Sequence, residues 1–140
     1  MTKLLGRYAS YIYAILRIVA GFLFMSHGCQ LLFGFPPSPA GMPEMHLDPL
    51  MTTFFNVGGV IEFAAGLLIL VGFFSSVAAF IASGSMAVAY FMFHQPYGAL
   101  PATNQGDAAV LFCFLFLYIA AHGSGIWSVD SLRGKQTNGG

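Results

Sequence analysis

Residues 54–73 read FFNVGGVIEFAAGLLILVGF and contain one ionisable side chain, Glu62. A helix needs roughly 20 mostly apolar residues to cross the hydrocarbon core of a bilayer, which is about 30 Å thick. This stretch is long enough, no proline interrupts it, and its apolar residues do not alternate with polar ones as they do in a half-buried strand. It therefore predicts a membrane-spanning helix.

Three further segments have the same character, with approximate limits Tyr8–Phe33, Ser76–Phe93 and Asp107–Ala121. None shows the period-two alternation that outer-membrane barrels require. We therefore predict an all-α protein, an integral membrane four-helix bundle. The sequence favours one transmembrane domain over residues 1–132 and a polar tail over residues 133–140.

The composition supports this class and excludes others. Apolar residues make up 57% of the 140 residues and charged residues 7%, whereas soluble domains carry about 25% charged residues. The net charge of zero leaves no basic surface for a nucleic acid. Two cysteines cannot by themselves build a four-ligand metal site, and no other metal-ligand motif is present. The partner that the composition predicts is the lipid bilayer.

The prolines and the basic residues predict the topology. All seven prolines fall in residues 34–53 and 95–106, which we interpret as loops because proline disrupts helix interiors. Neither loop contains Lys or Arg, whereas four basic residues lie near the two ends of the chain: Lys3, Arg7, Arg133 and Lys135. The positive-inside rule then places both termini in the cytoplasm and both loops outside.

Two charged residues lie inside predicted helices. Counted from the edges of their apolar segments, Arg17 and Glu62 differ in depth by only ~5 Å. A charge at the bilayer centre costs about 2.5–3.5 kcal/mol, so such residues are usually paired or functional. We expect Arg17 and Glu62 to be partners, which either locks two helices together or gives Glu62 a chemical role. Gly58 and Gly66 flank Glu62 and should let another helix approach closely.

The remaining polar residues of the helices gather in the outer half of the predicted bundle. His27 and Gln30 share a face of the first helix with Arg17, and Tyr90 lies one turn before His94 on the third helix. The candidate pocket residues are Arg17, His27, Gln30, Glu62, Tyr90, His94 and Asp107. We predict one cavity facing His27, Glu62 and His94, with Asp107 at its outer rim.

The cysteines and histidines are weak evidence for a bound cofactor. Cys29 should point away from the pocket, and without a C-x-x-C motif Cys29 and Cys113 are better explained as packing residues than as a redox pair. His27 and His94 alone do not favour haem.

Six short motifs, taken in order, resemble the DoxX family of small membrane proteins. They are LRIVAG at 16–21, FMSHG at 24–28, IEFAAG at 61–66, VGF at 71–73, MAVAY at 86–90 followed by His94, and GSGIWSVD at 123–130. The resemblance covers about residues 14–130. The family usually has Lys where Gln30 stands, Glu where Asp107 stands, and a basic residue near Ser75 or Ser76. This chain therefore lacks the cation that a family role at position 30 would need.

The resemblance implies a multi-pass protein of the bacterial inner (plasma) membrane that is associated with redox chemistry. Family members include a subunit of a thiosulfate:quinone oxidoreductase and a partner in a membrane oxidoreductase complex that handles thiol and oxidative stress. Fold and family alone do not transfer an activity. Whether the chain is itself catalytic, and which oxidoreductase subunits it meets, are left open.

Three functions fit these observations. The first is a redox-associated membrane subunit whose outer pocket binds a quinone or a small sulfur compound, with proton-handling residues Glu62, His27, His94 and Asp107 and with Arg17 setting the charge of Glu62. The second is a small solute or proton transporter that uses Glu62 as its coupling carboxylate. The third is a noncatalytic membrane scaffold. The absence of a cofactor motif disfavours a stand-alone enzyme.

Overall fold

The structure, a computed structural model, describes residues 1–37 and 48–137, with side chains as far as residue 134. All regular structure in these residues is helical, which confirms the all-α class. The five longer helices are α1 (Ala9–Phe33), α2 (Pro49–Val71), α3 (Ser75–Ala89), α4 (Asp107–His122) and α5 (Val129–Thr137). Shorter helical turns cover Thr2–Leu5, Gly6–Tyr8, Tyr90–His94, Gln95–Tyr97 and Pro101–Asn104.

Three helical segments of the described chain are long and apolar enough to cross a membrane: Thr2–Phe33, Pro49–Val71 and Ser75–Tyr97. The helix α4 is also apolar but has 16 residues, which makes it about 24 Å long. The chain is therefore a membrane protein. The fourth crossing and the side on which the termini lie remain predictions.

The bundle consists of two helical hairpins that meet along α2 and α3. The helix α1 packs along α2, and α3 packs along α4, whereas the backbones of α1 and α4 are not in close contact along their length. Side chains from all four helices fill the centre, where Phe24, Ile69, Phe116 and Ile119 are buried.

Glycines form the contact between α1 and α2. A methyl group on Gly28 would stand 2.3 Å from the Phe63 nitrogen, and one on Gly66 would stand 2.4 Å from the Met25 nitrogen. Backbone therefore touches backbone at both points, as small residues allow in membrane helices. The prediction that another helix approaches closely is correct at Gly66 and wrong at Gly58. A methyl group on Gly58 would have no neighbouring atom within 4 Å.

These glycine contacts also fix the register of the two helices. Because Gly28 lies opposite Phe63 and Met25 lies opposite Gly66, Glu62 is level with residue 29 of α1. Residue 29 is about 18 Å along the helix from Arg17. The sequence estimate of ~5 Å counted each residue from the edge of its own apolar segment. That count misses the true register because α1 extends beyond α2 at this end of the bundle: Gly21 lies opposite Leu70, so Arg17 lies level with the turn that follows the last residue of α2, Val71.

Prolines begin helical segments in this chain as well as interrupting them. Pro49 occupies the first turn of α2, where a missing N–H costs nothing, and Asp48 Oδ1 accepts a hydrogen bond of 2.8 Å from the Met51 nitrogen. Pro101 likewise begins a short helix. Residues 49–53, predicted as loop, are therefore helical. The part of the predicted outer loop at 38–47 lies outside the described residues.

The chain returns to the α2–α3 turn after α4. The Asp130 nitrogen donates a hydrogen bond of 3.0 Å to the Gly72 carbonyl oxygen. The helix α5 runs through the predicted boundary between residues 132 and 133, and that division stays a prediction. Residues 138–140 of the predicted tail lie outside the described part of the chain.

Candidate functional site

A cavity of about 690 Å³ opens between the four helices, at the end of the bundle away from the chain termini. Ligand pockets typically measure about 300–1,000 Å³. Its hydrogen-bonding side chains are His27, Gln30, Glu62, His94 and Tyr97. Its apolar wall consists of Phe24, Leu31, Met51, Phe55, Met86, Ala89, Phe93, Ala108, Ala109 and Phe112. Every one of the four helices contributes to this lining.

Glu62 is the acidic residue of the cavity. It lies in the middle of α2 and is partly buried. Its Oε2 atom is buried and has no hydrogen-bond partner among the described residues. Leaving a buried polar group unpaired costs about 1–3 kcal/mol, and more for a charged group. Glu62 lines the cavity, so a turn of its side chain toward that space would let a bound group supply the missing hydrogen bond.

His27 and Gln30 bring two more polar groups from α1. His27 is exposed at the cavity surface. Gln30 is half-buried, and its Nε2 donates a hydrogen bond of 3.1 Å to the Pro36 carbonyl oxygen. The amide of Gln30 is thus partly committed to the chain that follows α1, whereas the His27 imidazole has no hydrogen bond within the described residues.

His94 reaches the cavity from a helical turn that is wider than a regular α-helical turn. At 100° per residue, Tyr90 lies between Met86 and His94 on the circumference of a regular helix, so all three would line the cavity. Residues Tyr90–His94 form a π-helical turn instead, and such turns are frequent at functional sites. Met86, Phe93 and His94 line the cavity, but Tyr90 does not.

Asn104, which was not predicted as a site residue, holds residues 95–106 against this widened turn. Its Nδ2 donates to the Gly98 carbonyl over 2.9 Å and lies 3.4 Å from the Tyr90 hydroxyl, while its Oδ1 accepts from the Gly106 nitrogen over 2.8 Å. Its backbone oxygen lies 3.1 Å from His94 Nδ1. Because a carbonyl oxygen can only accept, Nδ1 carries the proton, and Nε2 of neutral His94 is an acceptor.

Arg17 does not belong to this cavity, and the predicted pair with Glu62 is wrong. The buried guanidinium donates from Nη1 to the carbonyl oxygens of Ile69 and Leu70, at 2.6 and 3.0 Å, and from Nη2 to Trp127 at 2.7 Å. The last carbonyls of a helix carry the negative end of its dipole and attract a cation. Arg17 therefore caps the C-terminal end of α2, far from Glu62.

Asp107 and Cys29 do not line the cavity either. Asp107 is the exposed first residue of α4, where a carboxylate interacts favourably with the positive end of the helix. The two residues after Asp107 do line the cavity, so the expected rim position is off by one or two residues. Cys29 and Cys113 are both free thiols.

Several residues that line the cavity were not predicted from the sequence. Met51 and Phe55 lie one turn apart on α2 and continue the Glu62 face of that helix. Their helical spacing was a usable signal, but starting the helix near Phe54 hid it. Phe93 lies seven residues after Met86, which puts the two on one face of a regular helix, so its spacing was a usable signal as well.

The charge pattern of the cavity limits what it can hold. Among the described residues, its lining contains the carboxyl group of Glu62 and no Lys or Arg. Within residues 1–37 and 48–137, no group of three or more His, Cys, Asp or Glu side chains is arranged to hold a metal ion. The geometry suits a ligand that is largely apolar, carries no negative charge and exchanges hydrogen bonds at one end.

Comparisons with known proteins cover most of the chain. Residues 12–95 match the family model described as DoxX. An uncharacterized protein of Haemophilus influenzae is 38% identical over 130 residues, which is 91% of this chain and 94% of that protein. No solved structure matches the chain. The family match spans α1, α2 and α3 and therefore includes His27, Glu62 and His94.

Proposed function

We propose, from the premise that the chain belongs to the DoxX family, that it is a redox-associated subunit of the bacterial inner membrane and that its cavity binds a quinone. The chain would cross the membrane four times with both termini in the cytoplasm. The cavity would then open toward the outer face.

The observation that carries this proposal is the unpartnered Oε2 of Glu62 beside a cavity whose wall is otherwise mostly apolar. Ligand sites commonly combine apolar walls with a few precisely placed polar groups. The ring of a quinone has this composition, since two carbonyl oxygens project from an apolar ring. Its oxygens would supply hydrogen-bond partners to the polar side chains.

The same lining favours a quinone over a small sulfur compound such as an anionic oxide of sulfur. An anion in this cavity would meet the Glu62 carboxyl group with no Lys or Arg among the lining residues. Buried charges need a partner of opposite sign or several strong hydrogen bonds. Gln30, where family members usually have Lys, therefore directs the choice toward a neutral ligand.

The side chains of this chain would bind the ring and handle protons. Reduction of a quinone to a quinol takes up two electrons and two protons, and this redox chemistry belongs to the ligand. The electrons would come from a partner oxidoreductase subunit. Glu62 can accept a hydrogen bond or, when protonated, donate one, and His27 and His94 Nε2 offer further sites at which a proton can be held.

The packing below the cavity supports binding rather than transport. Phe24, Ile69 and Phe116 are almost completely buried and fill the bundle between the cavity and the Arg17 end. Phe24 and Phe116 also pack ring against ring, with centroids 4.7 Å apart. A transporter that uses Glu62 would have to open this packed layer, whereas quinone binding leaves it in place.

Titration of the protein in lipid nanodiscs with a short-chain quinone tests the proposal. Glu62→Leu should weaken binding by about tenfold, equivalent to about 1.4 kcal/mol, because it removes the hydrogen-bonding carboxyl group. Glu62→Gln should restore most of the affinity, since an amide also donates and accepts. Ala89→Trp should abolish binding by filling the cavity.

Two controls accompany these variants. Val88→Trp adds the same ring one residue away on a side chain that is exposed and does not line the cavity. Asp48→Asn removes a carboxylate at the helix cap. Neither should change the affinity. Binding that is unaffected by Ala89→Trp and Glu62→Leu would rule out this cavity as the quinone site.

A further inference from the structure

A second, shallower groove of about 300 Å³ lies on the side of the bundle between α1 and α4. Its walls are entirely aliphatic and aromatic, with Val19 and Leu23 on α1 facing Leu111 and Leu115 on α4. Val19, Leu23 and Leu111 are exposed. On a membrane protein this side faces the hydrocarbon chains of the bilayer.

The groove and the cavity share part of their walls. Ala108 and Phe112 line both. The Phe112 ring packs against the Phe24 ring at a centroid distance of 6.0 Å, and Phe24 lines the cavity. The two spaces are therefore separated by side chains and not by a helix backbone, since the α1 and α4 backbones are not in close contact here.

We infer that this groove holds the apolar chain of the ligand and serves as its lateral route between the bilayer and the cavity. The inference rests on the proposed function, and the occupant it names is the prenyl chain of a quinone. The chain of such a ligand must stay in an apolar environment while its ring reaches Glu62. The groove meets that need, since the described residues that line it include no ionisable or hydrogen-bonding side chain.

The polarity of the two spaces assigns the two ends of the ligand. The hydrogen-bonding side chains, among them Glu62 and His94, line the cavity and not the groove. A polar ring would therefore lie in the cavity and the hydrocarbon chain in the groove. Phe112 would lie where the ring and the chain join, with its own ring against both.

The inference predicts that obstructing the groove acts on long-chain quinones only. Val19→Trp and Leu111→Trp place a bulky ring in the groove from opposite walls, at exposed positions that should tolerate it. Each should weaken binding of a long-chain quinone by about tenfold, since forcing extra volume into a filled site costs 1–3 kcal/mol. Binding of a quinone without a chain should not change. Val60→Trp, at an exposed position on α2 that lines neither space, is the matched control.

The outcomes separate this inference from the proposed function. If the wild-type protein binds neither quinone, the proposed function fails. If it binds both, but Val19→Trp and Leu111→Trp leave the long-chain affinity unchanged, the route through the groove is wrong. Equal weakening of both quinones would also overturn it, since the substitutions would then act on the ring. Native mass spectrometry that shows loss of a phospholipid with no change in quinone affinity would assign the groove to lipid instead.

Discussion

The Nη1 atom of Arg17 donates a hydrogen bond of 2.6 Å to the carbonyl oxygen of Ile69. The same guanidinium also bonds the carbonyl oxygens of Leu70 and Trp127. It thereby fastens α1 to the end of α2 and to the segment that precedes α5. The buried cation is a structural link at one end of the bundle, while the Glu62 carboxyl group faces a cavity toward the other end.

Arg17 and Glu62 should therefore contribute independently to stability. Arg17→Leu leaves the Leu70 and Trp127 carbonyl oxygens without the hydrogen bonds from Arg17, at about 1–3 kcal/mol each, while Ile69 keeps a hydrogen bond from the Gly72 nitrogen. Glu62→Leu removes a carboxyl group whose buried oxygen has no hydrogen-bond partner among the described residues. Changes at well-separated sites add within about 0.3–0.5 kcal/mol. The test is to measure the free energy of unfolding of the two single variants and of the double variant in the same detergent. If the double variant is more stable than the sum of the two single losses predicts, by over about 1 kcal/mol, Arg17 and Glu62 interact and the two sites are not independent.

Gly28→Ala should destabilise the α1–α2 contact. The added methyl group would stand 2.3 Å from the Phe63 nitrogen, and backbone cannot give way as a flexible side chain can. Overpacking of this kind costs about 1–3 kcal/mol. Gly58→Ala is the matched control because its methyl group would meet nothing within 4 Å, and it should stabilise the helix by up to about 1 kcal/mol. Equal melting temperatures for the two variants would show that the helices do not meet at Gly28.

The helices themselves could be predicted from the sequence because each follows from local information. Continuous apolar segments predict α1 and α4 almost to the residue, and Gly72, with its φ of 74°, marks the end of α2 as a glycine commonly does. The sequence also predicts that one cavity is lined by His27, Glu62 and His94. This prediction required only that polar groups in the same half of the bundle face inward.

Register and local helix widening could not be predicted in the same way. The groups that Arg17 contacts depend on the register of α1 against α2. Glycine contacts between residues distant in sequence set this register. Tyr90 leaves the cavity because one turn widens to a π-helix, which regular periodicity cannot express. Asn104 contacts four groups that lie together only once residues 95–106 have folded.

Asn104→Ala should loosen the segment between α3 and α4. It removes the hydrogen bonds with the Gly98 carbonyl and the Gly106 nitrogen, at about 1–3 kcal/mol for the groups left unpaired. We expect faster proteolysis within residues 95–106 and a lower melting temperature. Gln95→Ala removes an exposed amide from the same segment and should have little effect. Identical proteolysis of the two variants would contradict the role assigned to Asn104.

Cysteine labelling should establish which side of the membrane holds the termini. In a background with Cys29 and Cys113 replaced by Ser, Leu100→Cys and Leu132→Cys place single thiols at exposed positions on the two ends of the bundle. Basic residues near the termini predict that those ends lie in the cytoplasm. A membrane-impermeant maleimide should therefore label residue 100 in intact cells and residue 132 only after permeabilisation. The reverse pattern would invert the topology.

Photolabelling with an azide-bearing quinone tests whether a quinone binds in the cavity beside Glu62. Mass spectrometry would locate the adducts in wild-type protein and in the Ala89→Trp and Val88→Trp variants. We predict adducts on the cavity-lining parts of α1 and α2 in the wild type and in Val88→Trp, suppressed by unlabelled quinone and absent from Ala89→Trp. Adducts spread over the lipid-facing sides of the helices, with equal yield in Ala89→Trp, would contradict binding in the cavity.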